Sequence, residues 1–386
     1  MKRTSQLRVC FVLPGLHRVC RGAETAFEAI AHELSSRNNL EVTLIGSGEP
    51  KSECNYKYRK VRSFKRETFE RWPRIPPLRN EYRWEELSFA CSLWRSYHPR
   101  DFDINVTCSY PFTNWLLRAY RRNTKPRHVF VTQNGDWAPR CINAEYKFFS
   151  CDGLVCTNPE FYHRHQNTWK SCLIPNGFDP LKFNPGPGDR NRFALPSHSK
   201  IVLVVSALTH SKHVLDAVRA VARVPKLFLV VVGDGPLRQD FERLANQLLP
   251  GRHLRLVLPT ADMPGIYKCA DTLLHLGKNE AFGNIYVEAL GTGLPVVAHD
   301  NQTTRWIFKA QHIPPEGQPE TTPYRAVPNI CLLDTANIEA VAEALTQSLH
   351  CSRENASAQH QNAAERFAWQ NVATQYADFL YQTVNL

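Results

Sequence analysis

The sequence has no apolar run long enough to cross a membrane. A membrane-spanning helix needs about 18 or more consecutive apolar residues, whereas the longest apolar runs here, such as residues 201–205, are strand-sized. The apolar run after the basic N-terminus is short, is broken by Pro14 and leads into more basic residues, which favours a buried first strand over a signal peptide. We therefore expect a cytoplasmic protein.

The usual cysteine patterns are also missing. The 12 cysteines are scattered, with no C-x-x-C pair and no Cys/His cluster at zinc spacing. Several of them, including Cys10, Cys108 and Cys156, lie inside apolar, strand-like runs. This distribution favours buried thiols in a reducing compartment over a disulfide scaffold or a structural zinc site.

What the chain does contain is an alternation of strand and helix patterns. Its 386 residues, 43% hydrophobic and 22% charged, suffice for two α/β domains, each with a core of its own. Alternation of this kind predicts parallel sheets covered by helices. Strands are predicted at 7–13, 41–45, 102–107, 128–132, 153–157 and 171–174, then at 201–208, 227–232, 254–258, 272–276 and 295–298.

A break rich in proline and glycine separates the two series of strands. We predict an N-terminal Rossmann-like domain at 1–178, a linker at 179–199, a C-terminal Rossmann-like domain at 200–365, and a helix at 366–386 that packs back on the first domain. Two such domains are expected to face each other across a cleft, and ligands to bind at the carboxyl ends of the strands.

The net charge of +11 is concentrated in one segment. Residues 51–83 hold eleven basic residues against four glutamates, interleaved with aromatic residues. Such a segment attracts anions: phospholipid head groups, nucleic acid or an anionic substrate. No nucleic-acid-binding motif accompanies it, so we expect no nucleic-acid partner and allow a peripheral contact with an anionic membrane. A solvated loop is an equally open alternative.

The segment after the predicted strand 272–276 carries the clearest chemistry. A loop holds Glu280, Phe282 and Gly283, a helix is expected to start with Asn284 as its N-cap, and Glu288 follows one turn later. Backbone amides at a helix start suit a phosphate or diphosphate, and carboxylates on either side accept hydrogen bonds from hydroxyls. A nucleotide sugar has this layout. The alternative is an exposed loop acid and a carboxylate that merely complements the helix dipole.

This segment resembles the E-x7-E signature of the retaining glycosyltransferases of GT-B fold, nearest to their family 4. Three further motifs match in order: Arg21-Gly22-Ala23-Glu24, Ile174-Pro175-Asn176-Gly177-Phe178-Asp179, and Val232-Gly233-Asp234-Gly235-Pro236. The resemblance spans nearly the whole chain. It implies an α/β protein of GT-B fold that needs no metal ion and no cofactor besides its nucleotide-sugar donor.

The resemblance also implies roles for individual residues. Glu280 would contact the donor sugar, and Lys212 would neutralise the charge of the leaving diphosphate. Asn134 and Asp136 would orient the acceptor near the reaction centre. The implied donor-binding residues are Gly22, Ser206, Gly233, Asp234, Gly235, Phe282, Gly283, Asn284, Ile285 and Glu288.

Two positions depart from the family pattern. Ala207 stands where an arginine is common, which leaves Lys212 alone or helped by His210 or His213. Asn134 stands roughly where many members have a histidine, and an Asn-Gly-Asp turn is its alternative interpretation.

The function that these motifs imply is transfer of a sugar, with retention, from a UDP- or GDP-linked donor to a glycan, lipid-linked or small-molecule hydroxyl. The alternatives are a nucleotide-sugar epimerase of the same fold and a catalytically silent nucleotide-sugar-binding protein. A nicotinamide dehydrogenase is rejected, because the loop at 233–238 lacks the last glycine of G-x-G-x-x-G. A GT-A transferase is rejected, because Asp101-Phe102-Asp103 precedes its strand.

Overall fold

The computed structural model describes residues 6–69, 71–119, 126–135, 147–309, 324–327, 329–351 and 356–385. The chain divides into two compact units. The first comprises Met1–Gly177 together with Trp369–Leu386, and the second comprises Phe178–Ala368.

The strands are short and mostly buried, as expected of central strands in α/β proteins. In chain order they are β1 Leu7–Val12, β2 Leu40–Gly46, β3 Lys57–Lys60, β4 Ile104–Thr107, β5 Arg127–Val131, β6 Gly153–Cys156, β7 Ser171–Leu173, β8 Lys200–Val205, β9 Leu227–Val232, β10 His253–Leu256, β11 Thr272–His275, β12 Val296–His299, β13 Tyr324–Val327 and β14 Ile330–Leu333.

The helices lie between these strands, and several begin at an asparagine whose side chain caps the first turn. They are α1 Gly22–Ser35, α2 Glu81–Ser96, α3 Phe112–Ala119, α4 Pro159–His165, α5 Val214–Ala222, α6 Arg238–Leu248, α7 Met263–Cys269, α8 Asn284–Thr292, α9 Gln302–Phe308, α10 Ile338–Ser348, α11 Ala356–Phe367 and α12 Trp369–Val384.

The sheet of the first unit is parallel throughout, in the order β3-β2-β1-β4-β5-β6-β7. The sequence analysis did not predict β3, because its residues Lys57–Lys60 carry basic side chains that are typical of an exposed edge strand. Helix α12 packs beside α1, and its residues Tyr376, Phe379 and Leu380 are buried in the core of this unit.

The sheet of the second unit has the order β10-β9-β8-β11-β12-β14-β13. All its pairs are parallel except β13 with β14, an edge pair that the sequence analysis did not predict. The chain runs outward from β8 through β9 to β10 and then returns to place β11 on the other side of β8. The sheet therefore has its topological switch point between β8 and β11.

Two predicted boundaries differ from the structure. The segment 179–199 is not a separate linker, because Phe193 is buried in the second unit and Arg190 pairs there with Asp271. The C-terminal helix predicted at 366–386 is α12, which begins at Trp369, three residues later, and is preceded by α11, which ends at Phe367.

Within the described residues, the helices are all too short or too polar to span a bilayer. The cysteines described there form no disulfide. Cys10, Cys108, Cys151, Cys156 and Cys269 are buried, whereas Cys20 and Cys91 are exposed, so the expectation of buried thiols holds for only part of the set.

Candidate functional site

Three loops of the second unit meet at the carboxyl edge of its sheet, at the switch point. They follow β8, β9 and β11, which are neighbours in the order β9-β8-β11. Ligands of open α/β sheets bind at such an edge, because loops on either side of the switch point diverge and leave a crevice. Most of the predicted donor-site residues lie on these loops or on α8.

Glu280 lies at the centre of this edge, in contact with two basic side chains. Its Oε1 accepts a hydrogen bond from His275 Nε2 at 2.7 Å and forms an ion pair with Lys212 Nζ. Burial raises the pKa of Glu280, but the hydrogen bond and charge of His275, and then those of Lys212, outweigh it and lower the pKa to about 2. The carboxylate is therefore ionised at any physiological pH and can only accept hydrogen bonds.

The absence of a side chain at Gly277 permits the contact between His275 and Glu280. A Cβ at Gly277 would lie 2.7 Å from His275 Nε2, closer than real Cβ atoms approach, and 3.1 Å from Glu280 Oε1, which is tighter than most real Cβ contacts. The sequence analysis did not single out His275. Its signal was a polar residue at the end of the buried, otherwise apolar run of β11.

Helix α8 begins at Gly283, not at Asn284. Gly283 is the N-cap residue with φ +85°, and Asn284 is the first residue of the helix. A Cβ at Gly283 would lie 2.6 Å from the ring of Tyr286, so both the left-handed backbone and the close contact require glycine. The prediction that Asn284 caps the helix is thus wrong by one residue, although the predicted helix start beside Glu280 and Phe282 is present.

Glu288 lies on α8, and the structure does not bring it into contact with Glu280. One of its oxygens accepts a hydrogen bond from the hydroxyl of Tyr267 on α7 at 2.6 Å. Burial raises the pKa of Glu288 to about 7, and the hydrogen bond offsets only part of that rise. Tyr267, which the sequence analysis did not consider, therefore positions this carboxyl.

The loops after β8 and β9 are packed backbone against backbone. A Cβ at Gly233, where φ is +153°, would lie 1.9 Å from the carbonyl oxygen of Ser206. The amide of Leu208 donates to the carbonyl of Asp234 at 3.0 Å, and a Cβ at Gly235 would lie 2.6 Å from the carbonyl of Leu208. The structure thus brings the predicted residues Ser206, Gly233, Asp234 and Gly235 together.

The remaining predicted residues belong to the first unit. Gly22 is the first residue of α1, and Asn134 lies in the turn after β5, where its Nδ2 donates weakly to the carbonyl of Cys108 at 3.5 Å. Asp136 lies outside the described residues.

The first unit contains a buried carboxyl group, that of Glu86, which was not predicted from the sequence. Glu86 of α2 is fully buried; one oxygen accepts from the amide of Thr113 at 3.1 Å, and the other has no hydrogen-bond partner among the described residues. Burial raises the pKa of Glu86 to about 8, against the opposing effect of the Thr113 amide.

Comparison with known proteins agrees with this geometry. Residues 187–366 match the family described as "Glycosyl transferases group 1". A D-inositol 3-phosphate glycosyltransferase of Corynebacterium urealyticum is 29% identical over 292 residues, which cover 70% of this chain and 63% of the relative. The lipopolysaccharide core biosynthesis glycosyltransferase LpsE of Rhizobium meliloti is 24% identical over 203 residues, which cover 50% of this chain and 57% of the relative. The chain thus spans less than two thirds of either relative.

Solved structures share the fold over nearly the whole chain. Sucrose-phosphate synthase from Thermosynechococcus elongatus superposes with a TM-score of 0.75 at 16% identity, covering 98% of this chain and 99% of its own. Anabaena HepE in complex with UDP-glucose superposes with a TM-score of 0.71 at 16% identity, covering 98% and 100%. These superpositions show that the chain has the GT-B fold of these glycosyltransferases.

Among the described residues, no arginine pairs with Glu280 in place of the one that Ala207 replaces beside Lys212. Of the two histidines considered as substitutes, His213 is paired with Asp216 through Nδ1 at 3.0 Å. The cationic group in contact with Glu280 on the β8 side is therefore Lys212 alone.

The two acids of the Asp-Phe-Asp sequence form ion pairs. Asp103 pairs with Arg8, with Nη2 3.0 Å from Oδ1, and Asp101 pairs with Arg59. Both acids precede β4, at the amino end of the sheet. Within the part of the chain that the structure describes, no group of three or more His, Cys, Asp or Glu side chains is arranged to hold a metal ion.

Proposed function

We propose that the chain transfers a sugar, with retention of configuration, from a nucleoside-diphosphate sugar to an acceptor hydroxyl, in the manner of family 4. The observation that carries this proposal is the cluster of Lys212, Glu280 and His275 beside the first turn of α8. It combines a cation, a fixed carboxylate and the positive end of a helix at a sheet edge suited to ligands.

Each part of this cluster meets one requirement of the reaction. When the bond between sugar and diphosphate breaks, negative charge grows on the leaving diphosphate. The Lys212 ammonium and the amides at the start of α8 stabilise that charge without a metal ion. Glu280, ionised and held by His275, accepts hydrogen bonds from donor-sugar hydroxyls and so fixes the anomeric carbon opposite the acceptor.

The nucleoside half of the donor binds farther along the same edge. Glu288, positioned by Tyr267, accepts the ribose hydroxyls, and the loop at 233–235 lies against the base. Structural neighbours of the same fold have been solved with UDP and with UDP-glucose. We therefore propose a UDP-linked donor as the first to test, with GDP-linked donors as the second series.

The acceptor hydroxyl comes from a phosphorylated or lipid-linked molecule. The relatives that support this class are named for inositol 3-phosphate and for diacylglycerol. In this chain the acceptor would be oriented by Asn134 and Asp136 of the first unit.

A two-step experiment tests the proposal. Thermal-shift measurements with UDP, GDP and their sugars identify the donor, since a ligand that binds only the folded state raises its stability in proportion to RT ln(1 + [L]/Kd). Turnover of that donor is then measured with inositol phosphates and diacylglycerol, and the products are identified by mass spectrometry.

The control pair is Glu280→Ala and Glu339→Ala, because Glu339 is a mostly exposed glutamate whose ion-pair partner among the described residues is Arg223. Transfer should fall at least about a hundredfold in the first variant and stay unchanged in the second. Unchanged turnover in Glu280→Ala would sink the proposal, as would an isomerised donor in place of a glycosylated acceptor. Donor binding without turnover of any acceptor would favour a silent binding protein.

A further inference from the structure

The first unit exposes apolar side chains among basic residues in one short segment. Phe64, Trp72 and Ile75 are exposed to 65%, 46% and 51%. We name this segment the aromatic–basic surface; it consists of Arg62, Phe64, Lys65, Arg71, Trp72, Arg74 and Ile75, and its four basic residues are exposed as well. Large apolar side chains clustered in this way usually mark an interaction site.

The exposed rings of this surface pack against a buried aromatic side chain. Phe69 is 5% exposed and contacts both Phe64 and Trp72 edge to face, with ring centroids 6.1 and 5.0 Å apart. Trp72 in turn lies 4.8 Å from Trp84 of α2, whose indole N–H donates to the carbonyl of Pro73 at 3.0 Å. The rings of Phe64 and Trp72 are therefore held in place by packed neighbours, so these two side chains would lose little conformational entropy on binding.

The basic residues of this surface lack carboxylate partners. Arg62, Lys65, Arg71 and Arg74 form no ion pair within the described residues, whereas nearby Arg66 pairs with Glu85. Of the two acids between residues 62 and 75, Glu67 is exposed and Glu70 lies outside the described residues. Unpaired positive charge next to exposed apolar groups favours a ligand that offers both anions and an apolar layer.

We propose that the aromatic–basic surface docks the chain on an anionic phospholipid membrane. The basic side chains contact the head groups, and Phe64, Trp72 and Ile75 enter the interface between head groups and acyl chains. A lipid surface fits better than nucleic acid, because the aliphatic Ile75 cannot stack on a base. The proposal does not depend on the transfer reaction.

Vesicle co-sedimentation of the full chain tests this. The protein should bind vesicles of equimolar phosphatidylglycerol and phosphatidylcholine, should not bind phosphatidylcholine alone, and should dissociate as salt is added. Arg71→Ala with Arg74→Ala should weaken binding roughly 25-fold, taking about fivefold for each basic residue lost. Phe64→Ala should also weaken binding.

Two control variants test whether a loss of vesicle binding is specific to the aromatic–basic surface. Trp94→Ala removes a tryptophan that is 65% exposed on α2, outside the surface, and Arg243→Ala removes an exposed arginine of α6 in the other unit. Both should bind vesicles like the unmodified chain. Circular dichroism melting and the donor-induced thermal shift confirm that each variant is folded and separate this test from that of the transfer reaction.

Three outcomes would overturn the proposal. The first is equal binding to anionic and neutral vesicles, or binding to neither. The second is a loss of binding in Trp94→Ala or Arg243→Ala as large as in the surface variants. The third is preferential binding of single-stranded RNA that displaces the protein from vesicles, which would assign the surface to nucleic acid.

Discussion

At the end of β11, the neighbouring side chains determine the charge and position of Glu280. Glu280 owes its low pKa to His275 and Lys212, and glycine at position 277 leaves room for the contact between His275 and Glu280. The sequence supplied Glu280 and Lys212 as candidates through motif matching. It did not indicate that they touch, because 68 residues separate them in the chain.

His275 is expected to position Glu280 through its hydrogen bond. His275→Phe removes the donor but keeps a ring of similar size against Tyr286, so the melting temperature should change little. A hydrogen bond to a charged group contributes about 1.5–3 kcal/mol. Its loss should lower kcat about 10- to 100-fold, with a smaller effect on KM. His275→Gln, which retains an N–H donor, should recover part of kcat; a fully active His275→Phe variant would refute the role.

Glu86 should make the stability of the chain depend on pH. Its pKa of about 8 in the folded protein lies above the ordinary value of 4.5, so between these values the folded state keeps a proton that the unfolded state has lost. The free energy of unfolding therefore falls as pH rises through this window, by at most about 1.4 kcal/mol per pH unit.

Glu86→Gln should flatten this fall and be more stable than the unmodified chain above pH 8. Urea unfolding at a series of pH values measures the effect, with Glu343→Gln on the exposed face of α10 as the control. Part of the fall should remain below pH 7, where the raised pKa of Glu288 acts in the same direction. A fall in Glu86→Gln as steep as in the unmodified chain would assign the pH dependence to other groups.

At the scale of elements, the strand pattern was predicted well and the element ends less well. β9 was predicted to the residue, and most other predicted strands agree within one or two residues, because buried β-branched runs bounded by turn residues are a local signal. The start of α8 was placed one residue late, because asparagine is a preferred N-cap residue whereas here Gly283, with φ +85°, precedes the helix. β13 and the break between α11 and α12 had no clear local signal.

The start of α8 should not tolerate a side chain at Gly283. Gly283→Ala must adopt φ +85° and overlap the Tyr286 ring, whereas Gly251→Ala must adopt φ +70° in open space. The control, Gly251→Ala, should cost about 1 kcal/mol for the backbone alone, and Gly283→Ala about 2 kcal/mol or more. Chemical denaturation measures the free energy of unfolding of both variants. Equal decreases would mean that the Tyr286 ring moves aside for the new Cβ without an energetic penalty.

At the scale of the whole molecule, the chain folds as two units whose boundaries do not follow the sequence in order. The C-terminal residues Trp369–Leu386 belong to the first unit, while Phe178–Ala368 forms the second without interruption. The loops at the carboxyl edge that carry Lys212, Gly233 and Glu280 lie within that second unit.

The second unit is therefore expected to fold and bind the donor by itself. Residues 178–368, expressed alone, should melt cooperatively in circular dichroism and keep the thermal shift that the donor nucleotide gives the full chain. By contrast, removing residues 369–386 from the full chain should unfold the first unit, because Tyr376, Phe379 and Leu380 leave its core. A fragment 178–368 without a cooperative transition would contradict the division.

The sequence by itself determined the α/β class, the two series of strands and the motif around Glu280 and Glu288. These features depend on residues close together in the chain, so they are readable as periodicity and spacing. The tertiary structure alone decided that β8 and β11 are neighbours, that Lys212 and His275 hold Glu280, and that Tyr267 holds Glu288. The reason is physical: β8 and β11, and with them Lys212 and Glu280, are distant in sequence, and burial of shared apolar faces brings them together.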